Sequence, residues 1–262
     1  MTLGKYTAHI AVVASAIALT GAVWGASVLT GPEPGDAGRV PAATDHPSAR
    51  PAPVRPAPKI PESIAHASEA GGRAVNITID DGPDPRWTPD VLRVLRKNDV
   101  KAVFCMIGPQ ARRHPDLVKR IVADGHRLCD HTTDHDTAMD GKSVEYQRRQ
   151  IMAAKKMIED AAGGAKVEYY RAPGGAFTPD SRRIAAAAGM RPLGWNVDTK
   201  DFHRPGVAAI VATVREELPN GPTILFHDGG GDRGQTVSAL EELLPWLAAQ
   251  GHPTGFPVRT CP

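Results

Sequence analysis

Two adjacent carboxylates, those of Asp80 and Asp81, follow a β-branched run at residues 75–79 and precede a Gly-Pro turn. The run predicts a buried strand, so both acids stand at the carboxyl end of a strand, where α/β folds bind ligands. Neighbouring carboxylates repel each other, and a metal ion, a shared proton or an arginine beside them would relieve that repulsion. An ordinary surface turn is the alternative interpretation of the same residues.

Two imidazoles four residues apart, His131 and His135, follow the third predicted strand. They share one face if the segment is helical, or they converge on one ion from a tight loop. With a carboxylate from another strand end they would form a two-histidine, one-carboxylate metal site that keeps open coordination positions. The spacing by itself is weak evidence, and the acids at positions 80 and 81 strengthen it.

Three further predicted strands end in ionisable side chains. Arg171 is either an exposed charge or the partner of a carboxylate in a cleft. Asp198 and Asp201 either cap a turn or face that cleft. His227, directly after a buried run, is either a structural histidine or a residue of the same cleft. Because five of the first six strand ends carry such groups in order, we expect one shared site.

The elements that must position these residues alternate between strand and helix from residue 73 onward. Strands are predicted at residues 75–79, 100–107, 126–129, 167–170, 192–197, 223–226 and 256–259. Helices are predicted at residues 88–98, 114–125, 143–162, 178–189, 207–218 and 235–250, the last with Pro245 inside it. This order predicts an α/β fold with a parallel sheet, either a barrel slightly short of eight units or an open doubly wound sheet.

The segment before the folded region has two parts. Residues 8–29 form an apolar run after Lys5, and about 22 helical residues span about 33 Å, close to one bilayer core. Residues 1–30 are therefore a membrane anchor or a signal peptide, and either places the remainder outside the cytoplasm. Residues 31–71 are rich in proline and lack apolar periodicity, which predicts a disordered, extended linker before a domain at residues 72–262.

Charge and cysteine content narrow the function further. The formal net charge of +2 gives no strong field for nucleic acid, so no nucleic-acid partner is expected. Cys105 and Cys129 lie near the ends of candidate neighbouring strands and would form a disulfide outside the cytoplasm, with two buried free thiols as the alternative. Cys261 is then left over, and no Cys-x-x-Cys spacing indicates zinc binding by cysteine.

Five ordered motifs carry a resemblance to a known family. They are Thr-Ile-Asp-Asp-Gly-Pro at 78–83, His-Thr-x-x-His at 131–135, Arg-x-Pro-x-Gly at 171–175, Asp-x-x-Asp-Phe at 198–202 and Leu-Phe-His at 225–227. This set resembles the polysaccharide deacetylases of the NodB-homology type, carbohydrate esterase family four, over residues 73–259. The resemblance implies a distorted, incomplete (β/α) barrel with parallel strands.

The resemblance also implies metal-dependent hydrolysis of the amide bonds in N-acetylglucosamine polymers. By motif position, Asp81, His131 and His135 would bind a divalent metal, zinc in the first place and cobalt or nickel as alternatives. Asp80 would be the general base that deprotonates the attacking water. Arg171 would orient that base.

On the other side of the reaction, the resemblance makes His227 the general acid that protonates the leaving amine, with Asp201 fixing its ring. Leu225 would line the pocket for the acetyl methyl group, and the backbone N–H of Gly174 would serve the oxyanion. Two residues depart from the family pattern: Gly174 stands where tyrosine is common, and Phe202 where tryptophan is usual.

The substrate expected from the resemblance is a glycan of peptidoglycan or chitin type, acted on by a monomer in the cell envelope or outside the cell. Membrane contact is expected only through residues 1–30. Two alternatives remain at this point. One is O-deacetylation of acetylated xylan by the same machinery, and the other is a glycan-binding module that keeps the fold without turnover.

Overall fold

The computed structural model describes residues 59–260. The predicted apolar helix at residues 1–30 and most of the predicted linker lie outside the described residues. Within the described range, no helix has the length and hydrophobicity of a membrane span.

Eight short strands form one sheet, and the central strand carries the two adjacent acids at its end. The strands run parallel in the order β5-β4-β3-β2-β1-β7-β6, with β8 beside the start of β1. Every residue of the β-branched strand β1 is buried, as expected for a strand covered on both faces. The strands are β1 (Val75–Asp80), β2 (Ala102–Met106), β3 (Arg127–Asp130), β4 (Val167–Tyr170), β5 (Arg191–Pro192), β6 (Val197–Asp198), β7 (Thr223–His227) and β8 (Thr254–Gly255).

Amphipathic helices cover the outside of the sheet. They are α1 (Thr88–Lys97), α2 (Gly108–Arg113), α3 (Pro115–Ala123), α4 (Val144–Ala161), α5 (Pro179–Ala187), α6 (Val207–Glu217) and α7 (Gly234–Ala249). The sequence predicts six of the seven. In α5, Thr178 and Ser181 form the reciprocal capping box that satisfies the first backbone N–H groups. The sequence prediction omits α2, although Pro109 in its first turn is a helix-start signal.

The sheet curls into an incomplete (β/α) barrel, which confirms the predicted fold class. Its two edge strands are β5 and β6. Within residues 59–260 these two strands do not pair with each other, so the barrel is open between them.

The predicted single strand at residues 192–197 is wrong, because the structure divides it into β5 and β6 at opposite edges of the sheet. The connecting residues use their carbonyls elsewhere: those of Leu193 and Gly194 accept hydrogen bonds from Nε and Nη2 of Arg171 at 3.2 and 2.9 Å. The predicted strand at residues 256–259 is also wrong. The strand there is β8, and Pro257 forms an isolated antiparallel bridge with Ser68.

Residues 59–72, called here the N-terminal strap, pack against the sheet. Ala65 is only 4% exposed and forms a parallel bridge with Leu193. The backbone carbonyl of His66 accepts a hydrogen bond of 2.7 Å from Thr223 Oγ1 on β7. The predicted disorder of residues 31–71 is therefore wrong for residues 59–71, because their backbone groups find partners in the barrel. The folded region begins before the predicted boundary at residue 72.

A disulfide joins Cys105 on β2 to Cys129 on β3, which are directly opposite each other in the parallel ladder. The predicted pairing of these two cysteines is confirmed. Cys261 lies outside the described residues.

Candidate active site

A cleft of about 530 Å³ opens at the carboxyl ends of the strands. Two of the predicted residues, Arg171 and Asp201, are fully buried and contact residues of its wall. The other seven line the cleft itself: Asp80, Asp81, His131, His135, Gly174, Leu225 and His227. The structure thus brings together every residue that the sequence motifs single out, although they are spread over nearly 150 positions of the chain.

Asp81, His131 and His135 form a cluster whose ligand atoms all lie within 4.8 Å of one another. Asp81 Oδ1 is 3.6 Å from His131 Nε2 and 3.2 Å from His135 Nε2. This oxygen is buried and has no hydrogen-bond partner among the described residues. One carboxylate and two imidazoles converging on a point, with a buried oxygen left unpaired, fit a divalent metal ion.

Both histidines of the cluster stand on a loop, so the loop alternative is correct and the helical one is wrong. Thr132 and His135 have left-handed φ values of 69° and 52°. Such values bend the loop back on itself and are uncommon for residues other than glycine. The strained backbone turns both rings toward Asp81.

His131 is held in the form that binds metal. Its Nδ1 lies 2.8 Å from the backbone carbonyl oxygen of Arg171, which can only accept, so Nδ1 carries the proton. Nε2 is then the unprotonated nitrogen, and it is the one that faces the cluster. Burial lowers the pKa of His131, which further favours the neutral ring.

Asp81 is ionised. Burial raises its pKa, but the nearby imidazoles of His135, His131 and His227 lower it more, so the net pKa lies below its usual range. Its φ of 76° is left-handed, a conformation that aspartate tolerates better than most residues. The ionised carboxylate is the required ligand form.

Asp80 is fixed by a buried arginine. Arg171 Nη1 lies 2.7 Å from Asp80 Oδ1 and 3.0 Å from Thr78 Oγ1. Together with the two carbonyls on the β5–β6 connection, these acceptors occupy all three guanidinium nitrogens. The ion pair and the carbonyls hold the Asp80 carboxylate in one orientation, with Oδ2 3.6 Å from His131 Nε2.

His227 is held by Asp201. His227 Nδ1 lies 2.7 Å from Asp201 Oδ1, and Asp201 Oδ2 accepts from the backbone N–H of His227 at 2.9 Å. Thr236 Oγ1 donates to the same Oδ2 at 2.8 Å. Burial lowers the pKa of His227, but Asp201 raises it more, to about 9. His227 is therefore an imidazolium at neutral pH, opposite Asp80 in the β1–β7 ladder.

The remaining predicted residues have distinct surroundings. Gly174 has a left-handed φ of 60°, and a β-carbon there would lie 3.2 Å from Thr137 Cβ, so glycine suits this loop. Phe202 packs its ring against His227 at a centroid distance of 5.1 Å. Asp198 is a turn residue: it accepts from the backbone N–H of Lys200 and pairs with its ammonium at 2.6 Å.

One supporting residue that the sequence prediction omits is Gln150 on α4. Its Oε1 accepts from the backbone N–H groups of Thr133 and Asp134 at 3.1 and 3.0 Å, and so braces the loop that carries both histidines. Gln147 and Gln150 lie on the buried face of α4 among apolar residues. Glutamine in the apolar stripe of an amphipathic helix is the signal that could have indicated this role.

Two other omitted residues, Trp195 and Arg233, line the cleft. A third, Asp228, is buried behind it, where Thr88 Oγ1 donates to Oδ2 at 2.5 Å. Burial raises the pKa of Asp228 to about 7.

Comparison with known proteins identifies relatives of this chain. The family model for polysaccharide deacetylase matches residues 67–193. A chitooligosaccharide deacetylase of Sinorhizobium fredii is 39% identical over 207 residues, which cover 74% of this chain and 93% of the relative.

Two solved structures share the fold. A peptidoglycan N-acetylglucosamine deacetylase has a TM-score of 0.69 and 28% identity, covering 74% of this chain and 90% of that one. A pseudoenzyme of carbohydrate esterase family four from Bacillus anthracis has a TM-score of 0.68 and 26% identity, covering 75% of this chain and 68% of that one.

Proposed function

Since the chain belongs to the polysaccharide deacetylases of carbohydrate esterase family four, we propose that it removes N-acetyl groups from N-acetylglucosamine-containing glycans by metal-dependent hydrolysis. One observation carries the proposal. The cluster of Asp81, His131 and His135, which fits a metal ion, lies in the same cleft as the two proposed proton-transfer groups. These are the carboxylate of Asp80, paired with Arg171, and the imidazolium of His227, paired with Asp201. Peptidoglycan and chitin-type oligomers are the substrate classes that the relatives' names indicate.

An amide is a poor electrophile, and a divalent metal held by the cluster supplies a polarised acetyl carbonyl and a more acidic water. Asp80 is the general base of the proposal. It takes the proton from the attacking water through Oδ2, because Oδ1 is engaged by Arg171. The fixed orientation means that the base does not have to reorganise when it deprotonates the water.

His227 is the general acid. An amine leaves a tetrahedral intermediate only when its nitrogen is protonated, so the donating group must be protonated at the working pH, which for an imidazole means the imidazolium form. Asp201 provides that charge state by raising the pKa of His227 to about 9, and it fixes the ring through Nδ1 so that Nε2 is the donor. Leu225 would receive the acetyl methyl group, and the Gly174 backbone N–H would donate to the oxyanion.

Zinc is the metal we propose, with cobalt and nickel as substitutes. Two imidazoles and one carboxylate with open positions are the donor set of catalytic zinc sites. Metal content of the purified protein, measured by plasma mass spectrometry and matched to acetate release after reconstitution with each ion, tests this choice.

The protonated His227 is needed for amide cleavage and not for ester cleavage, so its presence supports an amide substrate. An alkoxide leaves far more easily than an amine anion, so an ester needs no charged donor of the kind that Asp201 maintains at His227. A non-catalytic role is the other alternative, since one structural neighbour is a pseudoenzyme. In this chain each proposed ligand and each proton-transfer residue lies in the cleft, which favours turnover.

Acetate release from chitooligosaccharides, peptidoglycan and acetylated xylan, with and without a chelator, tests the function. We expect release from the N-acetylated glycans that stops in Asp80→Asn and after metal removal. Wild-type protein that binds glycan but releases no acetate with zinc, cobalt or nickel would support the binding module instead.

We also propose that the protein works as a monomer outside the cytoplasm, in the cell envelope or free of it. The Cys105–Cys129 disulfide supports an oxidising compartment, and the apolar run at residues 8–29 supports export. A single chain supplies the whole cleft, which supports the monomer. Cell fractionation and size-exclusion chromatography with light scattering test the two points.

A further inference from the structure

Arg233 lines the cleft but takes no part in the proposed chemistry. It precedes α7 and is only 3% exposed. Its Nε donates to the Gly229 carbonyl at 2.7 Å, and its Nη1 donates to the Phe202 and Asp232 carbonyls at 3.3 and 3.4 Å. Nη2 has no hydrogen-bond partner within residues 59–260. One edge of a buried guanidinium is therefore unused.

Charge pairing sets Arg233 apart from the other cationic side chains of the cleft region. Each of the others faces a carboxylate, in the pairs Arg171–Asp80, Lys200–Asp198 and His227–Asp201. Arg233 has no carboxylate within 4.0 Å in the part of the chain that the structure describes. A guanidinium stays charged in proteins, and a buried charge without a counter-ion is costly. Nη2 is not among the buried unpartnered atoms of the described residues, so an anionic group that enters the cleft has access to this edge of Arg233.

Two glycines keep Nη2 uncovered. A β-carbon at Gly230 would lie 3.4 Å from Arg233 Nη2 and 3.1 Å from Asp81 Oδ2, and one at Gly231 would lie 3.6 Å from Nη2. Both glycines have φ values in the region that side chains rarely adopt, 73° and 151°. Arg233 Nη2 and the Asp81 carboxylate of the candidate metal site therefore border the same small space beside Gly230.

We propose that Arg233 Nη2 is a carboxylate-binding subsite that receives an acidic substituent of the substrate glycan. Resting on the proposed function, the subsite adds a choice of substrate: acetylated glycans that carry carboxylates, such as the lactyl ether of N-acetylmuramic acid, are preferred over neutral chitooligosaccharides. The guanidinium edge suits a planar carboxylate, and a charge-assisted hydrogen bond in a buried setting is among the stronger polar contacts.

The test compares three tetrasaccharides of equal length. One alternates N-acetylglucosamine with N-acetylmuramic acid, the second is its lactyl methyl ester, and the third is neutral chitotetraose. For wild-type protein we expect kcat/KM to fall by about 10- to 100-fold on esterification, the loss of one charge-assisted contact. In Arg233→Met, kcat/KM for the carboxylate-bearing tetrasaccharide should fall by a similar factor, so that esterifying this substrate has no further effect. In Arg233→Lys, part of the difference in kcat/KM between acid and ester should return. Arg96→Met, which changes an exposed arginine on α1, is the matched control.

Several outcomes overturn the subsite. One is a wild-type kcat/KM that is unchanged by esterification, a measurement that needs no variant to fold. Another is an equal loss on all three substrates in Arg233→Met, which would make Arg233 only a brace for the Gly229 and Phe202 carbonyls. A third is weaker inhibition by free acetate in Arg233→Met without any ester effect, which would assign the site to the released product.

Failure of the proposed function has a separate signature, which is no acetate release from any of the three substrates. Calorimetric binding of the acid and ester tetrasaccharides to wild-type protein then decides the subsite alone. Tighter binding of the acid by about tenfold or more supports the subsite, and equal affinities overturn it.

Discussion

Arg171 Nη1 lies 2.7 Å from Asp80 Oδ1, and the guanidinium is completely buried. This pair connects the proposed base to the open edge of the barrel, because the same guanidinium holds the carbonyls of Leu193 and Gly194. The same short segment is tied to the N-terminal strap, because the Ala65 N–H donates to the Pro192 carbonyl and the Gly194 N–H donates to the Ala65 carbonyl, at 2.8 and 2.9 Å. The orientation of the base therefore depends on a part of the chain that lies outside the five motifs.

Breaking this pair should affect both stability and turnover. In Arg171→Met we expect the free energy of unfolding to fall by about 3–5 kcal/mol, because an uncompensated carboxylate and two carbonyls are left buried. We also expect kcat to fall, since Asp80 loses its fixed orientation. Urea unfolding followed by circular dichroism measures the first effect. The exposed Arg96→Met should cost less than about 1 kcal/mol; similar losses in both variants would contradict the buried-pair account.

Substitutions of the neighbouring residues Asp80 and Asp81 should affect different properties, turnover for Asp80 and zinc affinity for Asp81. In Asp80→Asn we expect kcat for acetate release to fall by about 10²- to 10⁴-fold while zinc affinity stays close to wild type, because proton transfer is lost and the ligands remain. Isothermal titration with zinc and a coupled acetate assay give the two numbers. A loss of zinc affinity as large as that of Asp81→Asn would mean that Asp80 is a ligand and not the base.

Metal binding should depend on the histidine loop and on its brace. We expect His135→Ala to lose most of the zinc affinity, and Gln150→Ala, which frees two backbone N–H groups of the loop, to lose about 10- to 100-fold. Chelator competition followed by zinc titration of the metal-free protein measures both. His252→Ala, at a half-exposed histidine just after α7 that does not line the cleft, is the control. Undiminished affinity in His135→Ala would remove this residue from the metal site.

Amide cleavage should fail at high pH because the acid loses its proton. The pKa of His227 is raised to about 9, so the imidazolium is fully present at neutral pH and is lost as the pH rises through that value. In Asp201→Asn the main cause of the raised pKa is gone, and the alkaline limb of the kcat profile should move to lower pH. With acetyl esters, which need no such donor, the decrease of kcat at high pH should be much smaller. An alkaline limb that stays in place in Asp201→Asn would exclude His227 as the acid.

The N-terminal strap should be required for a stable fold. A chain that begins at residue 59 should unfold like the full-length protein, whereas one that begins at residue 73 should melt at a lower temperature and lose activity. The second chain lacks Ala65, whose backbone pairs with Pro192 and Gly194, and the carbonyl that accepts from Thr223. Differential scanning calorimetry of the two purified chains decides the point. Equal melting temperatures of the two chains would mean that residues 59–72 do not contribute to the stability of the fold.

Local signals in the sequence were sufficient for most elements and for the chemical residues. Periodicity and helix-start signals predict six of the seven α-helices found in residues 59–260, because an amphipathic face must be buried and a helix start must satisfy its N–H groups. The strands that the sequence predicts wrongly are the shortest ones in the structure. Two residues carry no periodicity, and the carbonyls of Leu193 and Gly194 between β5 and β6 accept hydrogen bonds from Arg171.

By itself, the sequence determined that two aspartates, two histidines, an arginine and a distant histidine stand at the ends of parallel strands, since side-chain type and hydrophobic patterning are local properties. Only the tertiary structure decided which atoms face one another: Asp81 meets both imidazoles, Arg171 reaches Asp80 across the barrel, and Arg233 lines the cleft with no carboxylate within 4.0 Å among residues 59–260. Such pairings depend on strand order and on left-handed loop residues such as His135, and both are set by contacts between positions far apart in the chain.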